Sequence, residues 1–127
     1  MKKTLLFCGL FFLLAICAHA QKVVSEKAIS VKAGGYEFFQ YDLTETTRIW
    51  GKFRATGGKN DIECYIVDED GFENLKNGNQ FLPIYKSGRV TVATFDVTVN
   101  KGVYYLVFSN TWSVMTPKAV TIQLYGN

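Results

Sequence analysis

Histidine is nearly missing from this chain, and cysteine and proline are scarce. The single histidine is His19, the cysteines are Cys8, Cys17 and Cys64, and the prolines are Pro83 and Pro117. Half of these fall in the first twenty residues, which read as a secretory leader. Lys2 and Lys3 give a positive start, Leu5 to Ile16 is an almost unbroken apolar run, and Ala18 and Ala20 supply small residues for cleavage. The run is too short to span a membrane. A lipid anchor at Cys17 is the rival reading, but it asks for a small residue just before the cysteine, where Ile16 stands. The expectation is a leader over residues 1–20, a single domain over 21–127, and a secreted or periplasmic location.

With that leader gone, His19 is lost, and so are Cys8 and Cys17. A serine–histidine or cysteine–histidine nucleophile system then has no imidazole. A zinc site of mixed histidine and cysteine ligands has no ligand set. Cys64 has no partner for an intrachain disulfide; it keeps phase with Ile62 and Ile66, as a small buried hydrophobe would. A large excess of either charge is also missing. The precursor's net charge of +3 falls to +1 when Lys2 and Lys3 leave, which gives no reason to expect a nucleic-acid partner. No glycine-rich phosphate loop is present; Gly34-Gly35 and Gly57-Gly58 read as turn glycines.

What is there is strand. Asn100-Lys-Gly opens, and Ser109-Asn110 closes, a run of β-branched, aromatic and leucine residues. Such a run, bounded by turn residues, predicts a strand buried on both faces and central in its sheet. Residues 47–56 alternate: Ile49, Gly51, Phe53 and Ala55 face one way, and Arg48, Trp50, Lys52 and Arg54 the other. Residues 61–68 alternate likewise. A hairpin between the two would set Phe53 opposite Cys64, Gly51 opposite Ile66, and Arg54 opposite Glu63. Further strands are predicted at 28–32, 36–43, 89–99 and 118–125, after a loose start over 21–27. Pro83 limits 81–86 to an edge strand. Asp70-Gly-Phe-Glu73 has capping-box spacing, and Gly78 would stop a short helix. About eight strands and at most one short helix predict an all-β antiparallel sandwich of jelly-roll type. Phe53, Ile62, Cys64, Ile66, Leu106, Phe108, Val120 and Ile122 are the expected core.

Six of the eleven acidic residues fall between Asp61 and Glu73. Asp68 and Asp70 are weak candidates for calcium, but the EF-hand pattern fails because Ile66 stands two before Asp68. No metal or other cofactor is expected. Trp50 and Tyr65 phase outward beside Lys52 and Arg54, and Trp112 lies in a connection. Exposed tryptophan, tyrosine and arginine are what interfaces are enriched in. Arg48, Trp50, Lys52, Arg54, Tyr65 and Trp112 are therefore the candidate binding residues. The competing reading covers Trp50 with the 69–80 segment, through Phe72 and Leu75.

Gly51-Lys-Phe-Arg-Ala-Thr-Gly-Gly58, Asn60-Asp-Ile62, Val67-Asp-Glu-Asp-Gly71, Gly102-Val-Tyr-Tyr-Leu-Val-Phe-Ser-Asn110 and Lys118-Ala-Val120 follow one another in a set order. Together they resemble the GOLD domain, the luminal β-sandwich of the Golgi-traffic cargo receptors, from Val31 to Gly126. The resemblance implies a sandwich fold and a protein-binding role, with no catalytic residues. It places the family's inter-strand disulfide at Phe38 and Val107, so that bridge is absent here. The receptors continue into a coiled coil and a membrane span, whereas this chain stops at Asn127, so cargo reception is not expected of it. The overall expectation is a non-catalytic exported module that binds a protein. A glycan-binding module using the aromatics, and a small calcium-binding domain or enzyme using the acidic cluster, are the alternatives.

Overall fold

The computed structural model describes residues 22–57 and 61–126. The leader expected over residues 1–20 lies outside the described residues. Among those described, no helix is long and apolar enough to cross a membrane. The elements are β1 (Lys22–Val31), β2 (Tyr36–Leu43), β3 (Thr47–Thr56), β4 (Ile62–Asp68), α1 (Glu69–Lys76), β5 (Tyr85–Val90), β6 (Val92–Val99), β7 (Gly102–Ser109) and β8 (Lys118–Gly126). They form two four-stranded sheets. Sheet I runs β1-β8-β3-β6 and sheet II runs β2-β7-β4-β5. Every pairing is antiparallel. Successive strands mostly pass from one sheet to the other, which is the connectivity of a jelly roll.

The inner faces bury Val31, Phe53, Ala55, Ile62, Cys64, Ile66, Phe95, Leu106, Phe108, Val120 and Ile122. All eight residues expected in the core are there, none more than 2% exposed. Phe53 of sheet I meets Phe108 of sheet II edge-on, with ring centroids 5.3 Å apart. Each such ring, once buried, contributes about 1.5–3 kcal/mol.

The expected β3–β4 hairpin does not form. β3 pairs with β6 and β8, while β4 pairs with β5 and β7. Arg54 stands opposite Thr121 and Val92, and Glu63 stands opposite Arg89 and Ser109. Period-two alternation says which side chains point inward. Two strands that face each other across a core show the same pattern as two strands side by side.

Other differences are local. β1 begins at Lys22 and not at residue 28; pairing with β8 orders its polar start, with an irregularity between Val23 and Ser25. Ser87-Gly88 forms a bulge inside β5. There Gly88 has φ +71, and the Ser87 hydroxyl accepts a hydrogen bond from the Cys64 amide at 2.9 Å. The expected long strand 89–99 divides at Thr91, where the chain crosses from sheet II to sheet I. The helix is capped two residues earlier than the capping-box spacing suggests: the Asp68 carboxylate accepts from the Gly71 amide.

β7 is interior to sheet II, and Tyr105 to Ser109 are buried on both faces. Its outer face is covered by α1. Phe72 stacks flat on Tyr105, with centroids 3.9 Å apart, in a cluster with Val67 and Val107. This explains why the β7 segment is apolar at consecutive positions.

Candidate functional site

The candidate residues do not form one surface. Arg48, Trp50, Lys52 and Arg54 lie on the outer face of sheet I. Tyr65 lies on the outer face of sheet II, so it is not beside Trp50. Its hydroxyl donates to Glu63, and its ring packs edge-on to Phe81 at 5.2 Å. Phe72 and Leu75 pack on sheet II as well. The 69–80 segment therefore does not cover Trp50, and that competing reading is corrected.

On sheet I, Asp96 of the neighbouring strand receives two hydrogen bonds from the Arg48 guanidinium, at 2.9 and 2.8 Å. Arg48 also lies over the Trp50 ring, 4.0 Å from its centroid. The hydrogen bonds from Arg48 hold the Asp96 carboxyl below its ordinary range. Trp50 is half-buried beneath this clasp. Both partners of the ion pair are well exposed, so it adds little to stability.

Asp68 and Asp70 sit at the start of α1, with Asp68 engaged as its cap. Among the described residues, no group of three or more His, Cys, Asp or Glu side chains is placed to hold a metal ion.

Trp112 belongs to the connection between β7 and β8, a loop held by many hydrogen bonds. Asn110, fully buried at its base, donates from Nδ2 to the carbonyl of Thr116 at 2.8 Å and, at longer range, to those of Val31 and Lys32. Its backbone carbonyl accepts from Gly34 at 3.0 Å and from Ser113 at 3.1 Å. Gly34 can make that approach because it sits in the β1–β2 turn with φ +75. Ser113 Oγ donates to the Thr116 carbonyl at 2.8 Å and accepts from the Thr116 amide at 3.1 Å. The loop is thus tied at its base and across its neck.

At its tip stand Val114 and Met115, 90% and 86% exposed. Beside the tip, the Arg89 guanidinium lies 4.3 Å from the centroid of Trp112. Lys118, 3% exposed, donates from Nζ to Asp61 at 2.8 Å, and that hydrogen bond lowers the Asp61 pKa. These groups line a concavity of about 460 Å³. Lys118 and Asp61 answer each other, so Arg89 leaves the concavity net positive. Sequence reasoning found Trp112 but missed Val114 and Met115. The available signal was two apolar residues in a Ser-, Thr- and Pro-containing connection.

No protein-family model and no curated protein matches this chain. Among solved structures, it is similar to PliG of Aeromonas hydrophila, a periplasmic inhibitor of g-type lysozyme. The identity is 9% and the TM-score 0.47, over 79% of this chain and 84% of that one. It is similar to a CBM4 carbohydrate-binding module at 14% identity and TM-score 0.46, over 84% of this chain and 79% of that one. It is also similar to a Bacillus endospore appendage protein that forms disulfide-linked pili. There the identity is 10% and the TM-score 0.44, over 83% of this chain and 88% of that one.

Proposed function

We propose that this chain is an exported, non-catalytic module that binds another protein through the 110–117 loop. The observation that carries the reading is that a loop fixed by seven hydrogen bonds at base and neck holds two large apolar side chains in water. Water penalises that display, while the loop's fixed shape has already met the entropy cost of ordering at an interface. The fitting partner has an apolar cleft to accept Val114 and Met115, with a carboxylate on its rim to meet Arg89. The absence of histidine after residue 20 supports a non-catalytic role. The resemblance to the GOLD domain belongs to the same proposal. It is supported by the register of β2 and β7, in which Phe38 and Val107 are direct partners on the outer face of sheet II.

The test is a photo-crosslinking amino acid placed at Met115, with Thr98 on sheet I as the control position. Exported fractions of the source cell should give a discrete protein adduct at 115 and none at 98. Trp112→Ala should abolish that adduct. Identical adducts at both positions would remove the loop from consideration.

A further inference from the structure

The outer face of sheet I has a second feature that the loop does not explain. Lys52 and Arg54 project from β3, an interior strand, two residues apart and so separated by about 7 Å along the strand. Lys52 stands opposite Gln123 and Thr94; Arg54 stands opposite Thr121 and Val92. The side chains frame a groove of about 330 Å³. Arg48, further along β3, is neutralised by Asp96. Among the described residues, no carboxylate lies within ion-pairing distance of Lys52 or Arg54. The other carboxylate on this face, Glu26, stands opposite Gln123 on the far side of β8.

The groove therefore offers two unanswered cations at a fixed spacing, with an amide and two hydroxyls between and beside them. A partner polypeptide could not add a strand here, because β3 and β8 already have both edges paired. Nucleic acid asks for many neutralised phosphates, and among the described residues this groove has Lys52 and Arg54 as its free cations. An acidic sugar chain asks for less. Its carboxylates suit the planar fork of arginine and the point charge of lysine, and its hydroxyls suit glutamine and threonine.

We infer that the outer face of sheet I, at Lys52, Arg54, Thr121 and Gln123, binds a carboxylate-bearing polysaccharide. The site is separate from the 110–117 loop, so the module would hold a protein at one end and an acidic glycan on one face.

Electrophoresis through gels containing polygalacturonate tests this, with neutral dextran and dextran sulfate gels in parallel. The wild-type chain should be retarded by polygalacturonate and not by dextran. Lys52→Gln and Arg54→Gln should each weaken the retardation about tenfold, the loss of one charge-assisted contact. Lys86→Gln and Lys101→Gln, which alter exposed cations elsewhere, should leave it unchanged, as should Val114→Ser with Met115→Ser. Melting curves would confirm that all variants fold. Three outcomes overturn the inference: no retardation at low ionic strength, equal weakening by Lys101→Gln, or retardation by dextran sulfate alone. None of these bears on the loop, whose own test is the crosslink at Met115.

Discussion

Lys118 and Asp61 form a lopsided ion pair, and the two ends should respond differently to mutation. The Lys118 side chain is 3% exposed, while that of Asp61 keeps 31% of its surface in water. Asp61→Ala leaves a cation buried without its counter-charge. Removing one partner of a fully buried pair costs about 3–5 kcal/mol. Water reaching the Asp61 position offsets part of this, so about 3 kcal/mol is expected. Lys118→Met instead leaves a carboxylate that can turn to solvent, and it fills the vacated space with an unbranched apolar chain. That change should cost under about 1 kcal/mol. The double variant should therefore be more stable than Asp61→Ala alone. Urea titrations followed by tryptophan fluorescence measure this, with equal slopes required of all four proteins. The pH dependence gives a second readout. The Asp61 pKa is lowered in the fold by the Lys118 hydrogen bond, so its stabilising contribution is complete above the ordinary carboxylate value of about 4. It is lost as pH falls from there through the lowered value. The gap between wild type and Asp61→Asn should accordingly close on acidification below about pH 4. If Lys118→Met destabilises as much as Asp61→Ala, the buried cation is not what makes the pair matter, and the reasoning fails.

Phe72→Ala should cost about 3–5 kcal/mol, because Phe72 is buried against Tyr105 and anchors α1 to β7. Limited proteolysis should then cut within residues 69–84; a variant as resistant as wild type would show that the helix is held by something else. Gly51→Ala should lower the melting temperature by well over 5 °C, since a Cβ there would stand 2.2 Å from the Gln123 carbonyl and 3.0 Å from the Phe95 ring. A melting temperature within a degree of wild type would mean that β3 and β8 part easily at this point. Cys64 is fully buried and its thiol pKa is raised well above the ordinary value by burial, so a thiol reagent at pH 8 should label it only after denaturant is added. Rapid native labelling would place the thiol outside the core.

The β7 segment shows how far residue order alone reaches. Six successive apolar or aromatic residues, Val103 to Phe108, mark a strand covered on both sides. They do not say what covers it, and here the answer differs by face: the second sheet on one side, a two-turn helix on the other. β3 shows the limit more sharply. Its alternation assigned Phe53 and Ala55 inward and Lys52 and Arg54 outward, and the structure agrees. Its partner strands could not be read, because inward phase is shared by every strand of both sheets.

The same division holds for function. The leader-like start, the lack of histidine in the rest of the chain and the all-β class follow from composition and period, which are properties of single segments. The separation of Tyr65 from Trp50, the clasp of Arg48 by Asp96 and the display of Val114 and Met115 each depend on segments far apart in sequence. Whether an apolar loop residue is covered or left in water is set by what the fold brings alongside it. Asn110 is buried because the β1–β2 turn and Thr116 close around its side chain. Four residues later in the same loop the described chain leaves Val114 90% exposed. Local sequence could set the residue type at each of these places, but only long-range packing could decide which of them stays in water.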